Sequence, residues 1–197
     1  MGFIKGIFTF IGLLVVGALI FAFVKFDLMG KVGNVAKLDP KAMGAYMTMF
    51  GTVLETGNAA DAMIRKVKIN PDVSNEDVVE SMKSIATDAN MLQVGDSKMQ
   101  IKTSINDEGG KRYIRILHYC SPGIAEKFID YSEAFGAFMP CRVLIVEDDN
   151  GDRWLYTMAM ELLLFGGQSL PPEMLELAEH VRDTMYRMQD MGAEGDF

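Results

Sequence analysis

The sequence predicts an α+β fold: an N-terminal transmembrane helix, then one compact domain in which helices pack on an antiparallel or mixed sheet. Three observations carry this. Gly6–Val24 is an uncharged run of 19 residues between Lys5 and Lys25. As a helix it would be about 28 Å long, close to the hydrocarbon thickness of a bilayer. The roughly 170 residues that follow have ordinary globular composition and are enough for one hydrophobic core. Within them, strand and helix periodicities follow the order β-α-β-β-β-α-β-β-α.

The apolar run holds no proline and one polar side chain, Thr9, whose hydroxyl can bond back within its own helix. It is longer than a signal-peptide core, and Lys25–Lys37 offers no good small-x-small cleavage site, so an uncleaved anchor over residues 1–28 is expected. The lysines after the span, Lys25, Lys31, Lys37 and Lys41, favour an inward-facing domain by charge count. The very short N-terminal tail favours the opposite. The expectation taken is a bacterial inner-membrane, single-pass protein whose C-terminal domain is periplasmic, with Gly6–Val24 in contact with the lipid bilayer.

Residues 29–61 read as a juxtamembrane linker and amphipathic helix. In Pro40–Glu55, Met43, Met47, Phe50 and Leu54 fall on one stripe that fits lipid, the domain or a partner. Residues 62–191 read as the α+β domain and 192–197 as a polar tail. Ala62–Ile69 alternates like a strand. Ser74-Asn-Glu-Asp77 is a capping-box start for helix Asn75–Ala89. Met91–Val94 and Lys98–Ser104 read as two short strands, and Asn106–Gly110 as a turn. Tyr113–Cys120 is rich in β-formers, and Ser121-Pro122 suits a helix start. Cys141–Glu147 and Arg153–Met158 flank the hairpin loop Asp148–Asp152, and a last helix covers Glu173–Met191.

Strand Tyr113–Tyr119, then Cys120-Ser-Pro122 opening a helix, then Met139-Pro-Cys-Arg142 leading into Val143-Leu-Ile-Val-Glu147, an acidic glycine-containing turn and an aromatic strand form an ordered pattern. Together with the opening strand and helix, it resembles the family called domain of unknown function 302 over about residues 62–191. The resemblance implies a compact α+β fold and no established activity. Ala159-Met160-Glu161 stands where the family pattern implies Asn or Asp followed by Pro.

The net charge of −8 argues against nucleic acid as a partner. No phosphate-binding glycine loop, HExxH or GxSxG motif is present. His118 and Cys120, two apart on a strand, share a face, and Cys141 and Met139 open the next strand. Three readings fit them: a disulfide, inert core thiols, or a soft-donor site for Cu(I) or Zn. No cofactor is required. Arg142 should point away from Cys141 and offers an anion or partner contact. Met174, Val181, Met185 and Met188 form a second stripe, read as an interface. Two functions follow from different classes. One is a membrane-anchored, non-catalytic accessory protein docking on a protein partner or forming a homo-oligomer. The other is a thiol- or metal-dependent protein handling sulfur species, redox equivalents or copper.

Overall fold

A computed structural model describes residues 2–25, 27–102 and 111–196. Helix α1 (Gly2–Lys25) holds the apolar run. Among the described residues it is the one helix long and apolar enough to cross a membrane, and none of its most apolar window is buried in the protein. Helices α2 (Leu28–Val35) and α3 (Ala42–Thr56) follow. The domain then runs β1 (Ile64–Lys68), α4 (Asn75–Asp88), β2 (Leu92–Lys102), β3 (Lys111–Cys120), α5 (Pro122–Tyr131), β4 (Cys141–Glu147), β5 (Arg153–Met158), α6 (Glu161–Phe165) and α7 (Pro172–Glu194). The architecture is α+β, as expected.

The five strands form one antiparallel sheet in the order β1-β5-β4-β3-β2. Side-chain alternation gives the sheet two faces. On one, Leu117 and Tyr119 of β3, Val143 and Ile145 of β4 and Leu155 of β5 are fully buried. They pack with Val78, Met82 and Ile85 of α4 and Met185 and Met188 of α7. A second cluster, including Phe128, Leu164, Phe165 and Met174, joins α5, α6 and the start of α7.

Local chemistry accounts for the element ends. The Ser74 hydroxyl accepts from the Asp77 amide at 3.1 Å, and the Asp77 carboxylate accepts from the Ser74 amide, completing the capping box. Pro122 occupies the first turn of α5, but Ser121 forms no side-chain cap. Gln189 of α7, completely buried, donates to the carbonyls of Arg65 and Leu155, fastening the helix to the two strands beneath it.

Three expectations need correction. The two short strands over residues 91–104 are one strand, β2, whose register slips between Gln93 and Gly95. A bulge absorbs the irregularity that the sequence shows as a break. Thr103, Ser104 and the turn Asn106–Gly110 lie outside the described residues. Separately, residues 29–61, read as a juxtamembrane linker and amphipathic helix, contain α3 and are hydrogen-bonded to the domain. The Asp39 amide donates to the Gly167 carbonyl, Ser169 donates to the Asp39 carboxylate, and the Tyr46 hydroxyl donates to the Gly166 carbonyl. The stripe Met174, Val181, Met185 and Met188 is not an interface. Met185 and Met188 lie in the main core, Met174 in the second cluster, and Val181 packs against both, because α7 covers the sheet beside α4. Nor does a polar tail start at Gly192: α7 continues to Glu194, and Ser81 donates to the Asp196 carbonyl.

Candidate functional site

The sequence-predicted cluster separates on the sheet. Cys141 pairs across strands with Tyr119, on the face of Leu117 and Val143. His118 pairs with Arg142 on the opposite face. There it lies against Gly95, where an added Cβ would sit 3.2 Å from the imidazole. Cys120, at the end of β3, lines an apolar cavity of about 70 Å³ together with Cys141, Met139, Phe128, Phe138 and Met158. So the structure brings the two thiols and the thioether together and leaves the imidazole behind the sheet.

Both cysteines are free thiols. Burial raises the Cys120 thiol above its ordinary value. Burial, reinforced by the neighbouring Cys120, pushes Cys141 up to about 11. Nucleophiles and metal ligands are thiolates, so both groups are held in the less reactive form at neutral pH. Among the described residues no group of three or more His, Cys, Asp or Glu side chains is placed to share a metal ion. The cavity is small and apolar.

The other face of the sheet has a different character. Two cross-strand ladders run over all five strands: Met99–Ile114–Val146–Trp154–Lys68 and Ser97–Ile116–Leu144–Tyr156–Lys66. Their centre is aliphatic and aromatic, and none of Ile114, Ile116, Leu144, Val146, Trp154 and Tyr156 belongs to either buried cluster. All six keep partial exposure to water. Along the β1 edge the ladders end in cations. The Lys66 ammonium sits 3.8 Å from the Trp154 ring centroid and 5.5 Å from that of Tyr156, and Lys68 is 5.6 Å from Trp154. The indole N–H donates to the Asp148 carboxylate at 2.9 Å, fixing the ring beside the hairpin loop. Arg142 is exposed at the lower end of this face, pointing away from Cys141 as expected.

This face was not singled out from sequence, although a signal for it is present. In β4, Val143-Leu-Ile-Val146 is apolar at every position instead of alternating. Such a run marks a strand that wants cover on both faces. Tyr113-Ile-Arg-Ile-Leu117 carries the same message more weakly, since Arg115 breaks it.

A second apolar feature lies at the base of the domain. A groove of about 640 Å³ runs between α3 and the body, with Gly44, Ala45, Thr48 and Met49 on one wall and Met63, Phe138, Leu162 and Phe165 on the other. Lys41, at its rim, places its ammonium 4.4 Å from the Phe165 ring centroid. The predicted stripe Met43, Met47, Phe50 and Leu54 is on the outer surface of α3, each residue between 53% and 69% exposed.

A family model described as domain of unknown function DUF302 matches residues 65–191. A crystal structure of an uncharacterized conserved DUF302 protein from Bacillus stearothermophilus is similar at 14% identity, covering 65% of this chain and 96% of that one, with a TM-score of 0.48. No curated protein matches significantly.

Proposed function

The chain belongs to the domain of unknown function 302 family over residues 65–191, and from that premise we propose a role in docking rather than catalysis. In this reading it is a single-pass protein of the bacterial inner membrane, with its domain in the periplasm. It pairs with a second copy through the open face of its sheet. The observation that carries the reading is the pair of apolar ladders, centred on Ile116 and Leu144, on a face that neither buried cluster includes.

Three physical arguments favour a second copy as the occupant. An isologous contact needs one self-complementary patch and no second protein. Five strands at ~4.8 Å spacing and two ladders ~7 Å apart span roughly 300 Å² of projected face, the size of an apolar centre within the ~800 Å² per partner of a standard interface. Two tethered copies also share one plane, which raises their effective concentration. Charge then selects the geometry. With the two-fold axis parallel to the strands, Lys66 and Lys68 lie over the other copy's β2 edge. With the axis across the strands, lysine would meet lysine.

The thiol reading has weaker support, since burial raises both thiols above their ordinary value and the imidazole stands on the other face. The test is the mass of the full chain in detergent by analytical ultracentrifugation. A dimer is expected, and Ile116→Lys and Leu144→Lys should each give a monomer with an unchanged circular dichroism spectrum. A monomeric wild type, or a dimer that survives both substitutions, overturns the proposal.

A further inference from the structure

Helix α3 is anomalous for a surface element. From Ala42 to Leu54 it has no charged residue, in a chain that is 23% charged. Its outer stripe, Met43, Met47, Phe50 and Leu54, is exposed, and Tyr46 beside it is 44% exposed. Its inner flank faces the apolar groove. A helix with no charge on any side over three turns is ordinarily buried or in lipid. This one projects half its circumference away from the domain.

Its position in the chain points to the covering medium. Only residues 26–41 separate the end of α1 from the start of α3, and eight of them form α2. The contacts of Asp39, Ser169 and Tyr46 fix α3 to the domain, so the stripe keeps one orientation relative to the body. Val32 and Val35 of α2 extend the exposed apolar surface back toward α1. The segment 25–41 carries four lysines against two aspartates, a local cationic excess in an acidic protein. Apolar side chains next to lysines suit the boundary between acyl chains and anionic headgroups. Tyr46, with an apolar ring and a hydroxyl donating to the Gly166 carbonyl at 2.9 Å, has the amphipathic character found at that depth.

We propose that α3 lies in the membrane interface, with Met43, Met47, Phe50 and Leu54 seated among lipid acyl chains, so that the domain rests on the bilayer instead of swinging from its anchor. The proposal rests on the reading of α1 as a membrane span but not on pairing through the sheet. A single anchor helix leaves a domain free to tumble; a second contact on the same membrane removes that freedom and sets which way the open sheet face looks.

The test uses the unmodified full-length chain, one protomer per nanodisc of phosphatidylcholine and phosphatidylglycerol. A charged, membrane-impermeant oxidant, chloramine-T, is added, and methionine sulfoxide is read at each position by mass spectrometry. Met99, 40% exposed on the β2 edge of the sheet away from α3, is the water-facing control in the same molecule. Burial in acyl chains should slow oxidation of Met43 and Met47 about tenfold relative to Met99. Equal rates at all three overturn the proposal. So does protection that occurs only in discs holding two protomers, which would mean that a second copy covers the stripe. A chain that fails to enter the discs overturns the anchor reading, and this inference with it.

Discussion

Asp96 and Arg115 show how a buried guanidinium can be met by a carboxylate on the exposed edge of the sheet. Arg115, 7% exposed, faces the helices, and Asp96 of β2 receives two of its N–H groups at 2.9 and 2.7 Å. A bidentate pair of this kind satisfies most of a buried guanidinium, to which Glu76 adds a longer contact at 3.9 Å. Asp96→Ala is expected to cost about 1 kcal/mol by urea denaturation, because it removes both short bonds to Arg115 and leaves it the more distant Glu76. The hydrogen bonds from Arg115 also hold the Asp96 carboxyl below its ordinary value. A depressed folded-state pKa contributes stability above the unfolded pKa and loses it as pH falls through the folded one. Stability of the wild type should therefore decline below about pH 4, and the Asp96→Asn variant should lack that component of the decline. At Cys141 the sign is opposite for reactivity. With its thiol near 11, alkylation by iodoacetamide should be slow at pH 7 and rise steeply toward pH 10, as read by mass spectrometry. Neither feature is legible in the sequence. An arginine in an alternating strand reads as a break in the pattern, and the parity that parts His118 from Cys141 depends on a register set by long-range pairing.

At the level of elements, periodicity located the helices well but did not say what each stripe touches. Met43–Leu54 and Met174–Met188 carry the same helical signal, yet the first is exposed and the second is core. The difference is tertiary: α7 has α4 and the sheet to pack against, whereas α3 packs chiefly on α6 and the turn before β1. Substitution separates the two stripes. Met188→Ala, at a site with no exposure, should lose about 3 kcal/mol, while Met47→Ala should change stability by less than ~0.5 kcal/mol in detergent. Capping was legible where residue identity alone sets it. Ser74 caps α4, and Ser74→Ala should cost about 1 kcal/mol in a thermal melt. It was misleading at Ser121, which begins α5 without a side-chain bond. The merging of two short strands into β2 was hidden because Gly95, which admits the His118 ring, looks like a strand break when read locally.

For the whole molecule, fold class, the N-terminal apolar helix and the family pattern were readable because they rest on composition and order, which need no register. The open sheet face was not, since it emerges only when residues from five strands are lined up side by side. Its two ladders place the chain's sole tryptophan at the margin of the proposed contact. Trp154 is partly exposed, stacked under Lys66 and tied to Asp148. That location makes the protein its own optical gauge. Drying of the indole on pairing should shift its emission to the blue as protein concentration rises. The shift requires no label and no knowledge of a partner, and it should vanish in Leu144→Lys.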